Sequence, residues 1–268
     1  MIIRSTANNQ VKKIRDQVRE GWPDSRGRVL VEGITLIEEA LKSRLEVDSF
    51  YVSEQTRKMK LLEDLLKSSK TYQATVIQLS EKVFSEISST ETPQGVSALV
   101  FLPKWSFKRI LTKDSLIVVT HCIQDPGNLG TLLRSAEAFG ADAVILSKNS
   151  VSPYNSKAIR ASAGSVFRVP CFPGWDIQAT LALFGENNYR VYATGPGKGM
   201  CFRDIDYRGR VVLILGNEAR GLDSNILDQV ERQITIPIST SVESLNVAVA
   251  SSIILCQAAE QRKTRLRQ

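Results

Sequence analysis

The sequence predicts an α/β protein with a parallel-sheet domain in its C-terminal half and a smaller α/β domain before it. In residues 115–268, short and almost continuously apolar runs such as "SLIVVTHC" and "GRVVLILG" alternate with helical patterns. Buried parallel strands joined by crossover helices have this pattern. In residues 1–102, amphipathic segments alternate with strand-like runs such as "VDSFYVS". We therefore expect two layered α/β domains, joined by a linker over residues 103–114.

The smaller domain is predicted from the change of hydrophobic period along residues 1–102. In "ITLIEEALKS", Ile34, Ile37 and Leu41 fall on one helical face. The other predicted helices are "ANNQVKKIRDQVRE", "RKMKLLEDLLKSS" and "EKVFSEIS", and the predicted strands are "GRVLVEG", "VDSFYVS", "ATVIQLS" and "GVSALVFLP". The segment "LPKWSFKRILTKD" then breaks the pattern with proline, aromatic and cationic residues, so we interpret it as the linker.

Composition narrows the classes of partner. The chain of 268 residues has 35 Lys and Arg against 28 Asp and Glu, which gives a formal net charge of +7. This balance favours a polyanionic partner such as nucleic acid. No apolar run reaches the roughly 18 residues that a membrane helix needs, and the N-terminus lacks the apolar core of a signal peptide. We expect a cytoplasmic protein, or an organellar one if a transit segment is absent from this chain.

Cysteine and histidine usage argues against a metal site. Cys122, Cys171, Cys201 and Cys256 form neither a C-x-x-C pair nor a cluster, which favours reduced thiols over zinc ligands or a disulfide framework. The single histidine, His121, ends an apolar strand, and we interpret it as structural. We therefore expect no metal.

Four loops that follow predicted strands carry the residues of interest. In parallel sheets, ligands bind beyond the carboxyl ends of the strands. The first loop, "DPGNLGTLLRSA", contains Asn128, which we expect to cap the following helix, and Arg134, about two turns into that helix. Because the helix macrodipole disfavours a cation there, Arg134 suggests a functional role; a surface arginine is the alternative.

The other three loops are less specific when taken one at a time. "GPGKGMCF" matches neither common nucleotide-binding glycine pattern. "GNEARGL" places Glu218 after a buried strand, where it either pairs with an arginine such as Arg134 or caps a helix. Ser244 and Asn246 stand at the start of a final helix, where capping is their simplest role. The body of that helix, Val247 to Ala259, is apolar enough to be buried, including against a second subunit.

Taken together, three of these segments resemble the motifs of the SpoU (TrmH) family of the SPOUT RNA methyltransferases. "NLGTLLRSAEAFG" is similar to the first motif, N-x-G-x-x-x-R. "LILGNEARGL" is similar to the second, G-x-E-x-x-G, and "IPISTSVESLNVAVA" to the third, I-P followed by S-L-N-V. Residues 1–102 resemble the N-terminal RNA-binding domain of the family, most visibly at "VLVEGITLIEEAL".

The resemblance implies transfer of a methyl group from S-adenosylmethionine to a ribose 2′-hydroxyl of structured RNA, ribosomal rather than transfer RNA. It also implies a homodimer and a trefoil knot in the C-terminal domain. The implied catalytic residues are Asn128, Arg134, Glu218, Ser244 and Asn246. The implied cofactor-binding residues are Thr194, Gly195, Leu215, Gly216, Ile236, Ile238 and Leu245. We interpret Arg134 as a fixed cation, with a literal general base as the alternative, because a guanidinium has a pKa above about 12.

One departure and several alternatives stand beside this interpretation. Many family members have "IPM" and a glycine before S-L-N-V, whereas this chain has "IPISTSVE". The alternatives are a tRNA 2′-O-methyltransferase, a base methyltransferase of the same superfamily, and a non-catalytic RNA-binding assembly factor with the same fold. A nucleotide hydrolase is less favoured, because the sequence has no phosphate-binding lysine motif.

Overall fold

The chain forms two compact units in the computed structural model, which describes residues 2–56, 74–195, 199–217, 220–239 and 241–262. Unit 1 comprises Met1–Lys104 and Tyr154–Phe167, and unit 2 comprises Trp105–Pro153 and Arg168–Gln268. Tyr154–Phe167 fall within the predicted C-terminal domain by sequence, but their contacts assign them to unit 1. The bounds 1–102, 103–114 and 115–268 stay predictions about separately folding parts of the chain.

The described residues form helices in both units. In chain order they are Asn9–Glu20 (α1), Ile34–Lys42 (α2), Glu81–Ile87 (α3), Pro126–Ala138 (α4), Ser156–Ser162 (α5), Ile177–Glu186 (α6), Ser224–Leu227 (α7) and Val247–Gln261 (α8). Helices α1, α2, α3 and α5 belong to unit 1, and the others belong to unit 2.

Unit 1 is built on a mixed sheet. Its strands are Ile2–Ile3 (β1), Arg28–Glu32 (β2), Val47–Ser53 (β3), Thr75–Leu79 (β4) and Val96–Phe101 (β5), in the order β1-β4-β3-β5-β2. Strand β4 pairs in parallel with β1 and β3, whereas β5 pairs antiparallel with β3 and β2. The elements predicted for residues 1–102 are confirmed, except the helix "RKMKLLEDLLKSS", which lies outside the described residues.

The core of unit 1 depends on helices whose ends the sequence specifies. Helix α1 begins at Asn8, whose side chain accepts hydrogen bonds from the backbone N–H groups of Gln10 and Val11. It ends at Gly21, which has the left-handed φ of 72° that suits glycine. Its buried face then packs into an apolar cluster with α3 and the sheet, formed by Val11, Ile14, Leu30, Tyr51, Leu79, Val83, Phe84, Ile87 and Leu99.

Unit 2 is built on a sheet whose strands all pair in parallel, as predicted. The strands are Ser115–Thr120 (β6), Ala143–Ser147 (β7), Cys171–Trp175 (β8), Arg190–Thr194 (β9), Met200–Cys201 (β10), Arg210–Leu215 (β11) and Arg232–Thr235 (β12), in the order β10-β12-β9-β11-β6-β7-β8. Every residue of β6 and β7 is buried. Residues 116–119 and 143–146 are continuously apolar, which is typical of parallel strands that are covered on both faces.

Two strands of this sheet were not predicted. Strand β8 has the sequence "CFPGW", and proline and glycine weaken a strand pattern. It forms the edge of the sheet beyond β7, where Pro173 need not donate a ladder hydrogen bond. Strand β10 has only two residues, Met200 and Cys201, too few to give a periodic pattern.

The predicted linker packs onto unit 2. The Phe107 ring lies 5.4 Å from the Phe172 ring and 4.5 Å from the Trp175 ring, measured between centroids. Through Phe107, the predicted linker therefore contacts the outer strand β8 of the sheet.

Helix α8 packs against α4, with the Ser135 and Ser252 hydroxyl oxygens 2.7 Å apart. Its buried residues include Ala248, Ser251, Ile254, Leu255, Ala258 and Ala259. On the other face, Val249 is 47% exposed and Cys256 is exposed, so the chain itself buries one face of this helix, and burial of the other face against a second subunit stays a prediction. No helix within the described ranges is long and apolar enough to cross a membrane.

Two glycines in unit 1 allow a matched test of packing. Gly27 and Gly95 have left-handed φ values of 74° and 73°, so alanine is strained at both positions. A Cβ at Gly95 would lie 1.9 Å from Thr56 Oγ1, whereas a Cβ at Gly27 would meet nothing within 4 Å. We predict that Gly27→Ala lowers the free energy of unfolding by about 1 kcal/mol, and that Gly95→Ala lowers it by about 1–3 kcal/mol more.

Urea denaturation of the two variants and the parent protein measures this difference. Equal destabilisation by both substitutions would contradict the proposed close contact at Gly95.

Candidate active site

Four loops of unit 2 meet at the carboxyl edge of its sheet. Strands β12, β9, β11 and β6 are consecutive neighbours and run in parallel, so the segments that follow them leave the sheet side by side. The His121 N–H donates to the Leu215 carbonyl at 2.8 Å, and the Gly195 N–H donates to the Ile234 carbonyl at 3.2 Å. These bonds hold the first residues of the loops in register.

The start of α4 differs from the sequence prediction. We expected Asn128 to cap this helix, but the cap is Asp125, whose carboxylate accepts from the Asn128 N–H at 2.8 Å. Pro126 takes the first helical position, where its fixed φ suits the helix and its missing N–H costs nothing. The pair Asp125–Pro126 is the sequence signal that could have located the cap. Because Asp125 caps the helix, the Asn128 side chain can make a different contact.

That contact joins the first motif to the third. The Asn246 side-chain amide donates to Asn128 Oδ1 at 2.8 Å. The Asn246 side-chain oxygen accepts from the N–H groups of Ala248 and Val249, at 2.9 and 3.3 Å, and so caps α8 as predicted. One side chain therefore ends the third-motif loop and connects it to the beginning of α4. Ser244, two residues earlier, is exposed beside this junction in the chain.

Arg134 lies on the exposed side of α4. The buried side of the helix is formed by Leu129, Gly130, Leu132, Leu133 and Ala136. Within the part of the chain that the structure describes, no hydrogen bond or ion pair involves the Arg134 guanidinium. Glu218, its predicted partner, lies outside the described residues. The Arg134 side chain thus lies on the exposed face of α4, away from the buried residues of the helix.

The loop after β11 is tightly folded around Gly216. A Cβ at this position would lie 2.5 Å from the Gly221 carbonyl carbon, a separation that real Cβ atoms do not adopt. The backbone of Asn217 and Gly221 closes the loop with two hydrogen bonds, of 3.0 and 2.9 Å. Glycine at position 216 is therefore required by the close approach of the two backbone segments.

Sequence reasoning missed Asn217, because the second motif leaves that position open. Its side-chain amide donates to the Cys122 carbonyl at 2.7 Å, and its side-chain oxygen accepts from the Arg220 N–H at 3.1 Å. Cys122 has a positive φ of 54°, so the chain leaves the extended conformation of β6 by this residue. Asn217 thereby joins the loop after β11 to the loop after β6.

The predicted cofactor-binding residues line three of the four loops. The Thr194 hydroxyl donates to the Ile214 carbonyl at 3.2 Å, and a Cβ at Gly195 would meet no atom of the described residues within 4 Å. Leu215 is buried, Ile236 and Leu245 are half-buried, and Ile238 is 38% exposed. Open space beside Gly195 and an exposed apolar side chain at Ile238 are consistent with a ligand that combines polar and apolar parts.

The titratable side chains of the described residues form no cluster suited to a metal ion, and Cys171 is buried. No group of three or more His, Cys, Asp or Glu side chains within those residues could hold a metal ion. His121 Nε2 lies 3.8 Å from Asp223 Oδ2 and 3.6 Å from Cys122 Sγ. Burial raises the pKa of the Cys171 thiol, which keeps that thiol protonated and unreactive.

Comparison with known families agrees with this arrangement of motifs. The model of the SpoU rRNA Methylase family matches residues 115–256, which is more than half of the chain. The chain belongs to the SpoU family. The model of the MRM3-like substrate binding domain matches residues 8–98. The family recognised from three short motifs is therefore confirmed.

Relatives that match over nearly their whole length extend this result. The 23S rRNA (guanosine(2553)-2'-O)-methyltransferase RlmP of Bacillus subtilis is 32% identical over 94% of this chain and 97% of its own. A solved RNA 2'-O ribose methyltransferase is 29% identical with a TM-score of 0.81, over 98% of this chain and 100% of its own. The AdoMet-bound rRNA methyltransferase of Sinorhizobium meliloti is 27% identical with a TM-score of 0.83, over 99% of this chain and 98% of its own.

The two functions of Asn246 can be separated by substitution. Serine is as good a helix cap as asparagine, but its side chain is too short to reach Asn128. We predict that Asn246→Ala lowers the free energy of unfolding by about 1 kcal/mol, whereas Asn246→Ser changes it by less than about 0.5 kcal/mol. Both substitutions remove the bond to Asn128, so both should lower activity to a similar extent.

Urea denaturation and an activity assay on the same preparations check this prediction. If Asn246→Ser kept full activity, the bond between Asn246 and Asn128 would have no functional role.

Proposed function

We propose that this protein transfers a methyl group from S-adenosylmethionine to a ribose 2′-hydroxyl of ribosomal RNA. Membership of the SpoU family carries the reaction class, and the similarity to the RlmP enzyme of Bacillus subtilis favours ribosomal over transfer RNA. The Asn246–Asn128 hydrogen bond is the structural observation that supports a working site most directly. It joins the first and third motifs on the side of the sheet where the loops converge.

The cofactor would be held by the loops after β9, β11 and β12. Bound there, S-adenosylmethionine supplies a methyl carbon that already carries a good leaving group. Thr194, Gly195, Leu215, Gly216, Ile236, Ile238 and Leu245 would surround it, mainly through the backbone. The open space at Gly195 and the close approach of Gly216 to Gly221 fit such a backbone cradle.

Arg134 would act on the ribose and its phosphate. A ribose hydroxyl is a weak acid, so the enzyme must stabilise the negative charge that develops on the 2′-oxygen as it reacts. A guanidinium stays charged in proteins, and its fixed N–H groups bind phosphate oxygens well. The exposure of Arg134 on α4 fits an electrostatic role of this kind. A literal general base is the second mechanism that the same residue allows.

The other motif residues would position the reacting groups. Asn128 and Asn246 hold the two helix starts together, and Ser244 lies in the adjoining loop. Glu218 would orient Arg134, a role that rests on the second motif alone. Because in-line transfer depends on near-attack contact between the 2′-oxygen and the methyl carbon, a small shift of these loops would lower the rate strongly.

We further propose the trefoil knot, a homodimer and a cytoplasmic location. The packing of α8 against α4 is consistent with a C-terminal segment that threads back beside the first motif. The exposed side chains of Val249 and Cys256 on α8 suit a subunit interface. A non-catalytic RNA-binding factor is less favoured, because a binder would not need the arginine and both asparagines of the motifs.

The reaction is tested by incubating the protein with labelled S-adenosylmethionine and total RNA from cells that lack the native modifications. We expect 2′-O-methylated nucleosides in the ribosomal size classes after nucleoside analysis. Label in transfer RNA would change the substrate class, and label on a base would move the protein to another branch of the superfamily. Cofactor binding and RNA binding without any transfer would favour the assembly factor.

Arg134 variants test the mechanism. We predict that Arg134→Ala folds and binds S-adenosylmethionine but loses about 100-fold or more of its turnover number. Arg134→Lys should recover part of the loss, because it restores the charge without the planar guanidinium. Arg232→Ala, an exposed arginine at the opposite end of β12, is the matched control and should keep full turnover. Near-native turnover of Arg134→Ala would remove this residue from the mechanism.

A further inference from the structure

A groove of about 250 Å³ lies on unit 1, and none of the residues that line it belongs to the three motifs. The residues that determine its chemistry are Glu32, Thr35, Thr90, Thr92, Gln94 and Arg160. Its volume is just below the roughly 300 Å³ at which pockets for drug-sized ligands begin. The groove therefore suits one small polar group, such as a single nucleotide unit, better than a larger organic ligand.

The one carboxylate among the described residues that line the groove is already occupied by donors of the protein. The Glu32 carboxylate accepts from the Ser88 hydroxyl, from the Ser89 N–H and hydroxyl at 2.8 Å each, and from the Thr90 hydroxyl at 2.7 Å. A carboxylate has about four acceptor positions. Glu32 thus fixes the turn at residues 88–90 and has no capacity left for a donor on a ligand.

The donors of the groove, in contrast, are largely unused. Arg160 Nη1 donates to the Ser89 hydroxyl at 2.6 Å, and this is its only hydrogen bond within the described ranges. A guanidinium has five N–H donors, so four remain. The Gln94 side-chain oxygen accepts from the Ile34 N–H at 3.0 Å, which leaves the NH₂ group of that amide for a ligand.

Two hydroxyls add to this set. Thr35 and Thr92 are exposed and line the groove, and their side chains have no hydrogen-bond partner among the residues that the structure describes. No carboxylate within the same part of the chain forms an ion pair with Arg160. A ligand here would meet one cation and several unused donors, beside a carboxylate whose acceptor positions are already occupied.

We propose that this groove binds the sugar–phosphate backbone of the substrate RNA, with Arg160 as the phosphate ligand. A phosphodiester offers acceptor oxygens and a negative charge, which complement the unused donors and the cation. The proposal rests on the proposed function for the identity of the RNA, whereas the groove itself rests on its own contacts. It was not predicted from the sequence, because Ser89 and Arg160 are 71 residues apart in the chain.

Arg160 comes from a different part of the sequence than the other residues that line the groove. Residues 8–98, which include most of the groove, match the substrate-binding model, whereas Arg160 falls within the residues 115–256 matched by the methylase model. By contacts, Arg160 nevertheless belongs to unit 1. The RNA site is thus completed by a residue from the stretch of sequence that carries the catalytic motifs.

RNA binding by three variants tests the proposal. The probe is unmodified ribosomal RNA, and the dissociation constant is measured at several salt concentrations. Arg160→Gln should raise the dissociation constant about 5- to 10-fold and lower the salt slope by roughly 0.7–0.9. Arg160→Lys should recover the slope but only part of the affinity. Thr92→Val, which removes a hydroxyl without a protein partner, should weaken binding about 2- to 5-fold with the slope unchanged.

Lys42→Gln is the matched control, because it removes the same charge from the far end of α2. Lys42 pairs with Glu39 at 2.8 Å and does not line the groove, so its loss should change the dissociation constant less than 2-fold. Equal effects of Arg160→Gln and Lys42→Gln, or an unchanged salt slope for Arg160→Gln, would overturn the proposal. Binding of polyglutamate to the parent protein but not to Arg160→Gln, with equal RNA affinity of the two proteins, would assign the groove to an acidic polypeptide instead.

Binding and transfer are read separately, so the two proposals fail in different ways. If the parent protein binds ribosomal RNA without methylating it, the proposed function is wrong, and the groove is still judged by the variants. If transfer occurs but Arg160→Gln binds RNA like the parent protein, only the groove proposal is wrong. Circular dichroism and S-adenosylmethionine binding should be unchanged in all variants, which verifies that unit 2 is intact.

Discussion

Parallel pairing of β11 with both β6 and β9 is the constraint on which the rest of unit 2 depends. Because the three strands run in one direction, their carboxyl ends come to the same edge of the sheet, and β12 adds a fourth. Residues 116–119, 191–193 and 211–215 of the central strands are buried, so the polar residues that can contact a ligand lie mainly in the segments that follow. The chemistry of the protein is therefore concentrated at one edge, and the apolar strands support it.

Short side-chain amides then join three of the four neighbouring loops, those after β6, β11 and β12. Asn217 reaches from the loop after β11 to the Cys122 carbonyl after β6, and Asn246 reaches from the start of α8 to Asn128 in α4. Both side chains also bind backbone N–H groups of their own loops. Each amide thus uses its donor for one segment and its acceptor for another, so a single side chain links two loops.

Charge is distributed differently in the two candidate sites. Arg134 lies exposed on α4, whereas Arg160 is held by Ser89, which is itself held by Glu32. An arginine that is already ordered loses less side-chain entropy on binding a phosphate than a mobile one. The substrate-binding unit can therefore supply affinity from a fixed cation, while Arg134 stays free to respond to charge that develops during the reaction. Both roles are proposals that rest on these different environments.

The sequence alone determined the fold class, most elements and the family. Apolar runs and amphipathic periods report local burial, and three motifs in fixed order identify a chemistry whose residues lie next to strand ends. It failed at the α4 cap, because Asp125 and Asn128 are both good capping residues and only the position of Pro126 decides between them. It also failed at β8 and β10, because an edge strand need not be apolar and a two-residue strand has no period.

Tertiary structure decided which distant side chains meet. The pairs Asn128–Asn246, Cys122–Asn217 and Ser89–Arg160 are separated by 118, 95 and 71 residues, respectively. Each pair depends on strand order, on the packing of α8 against α4, or on the assignment of Tyr154–Phe167 to unit 1. These are properties of the folded chain as a whole, because no local pattern of residues records which loops will become neighbours in space.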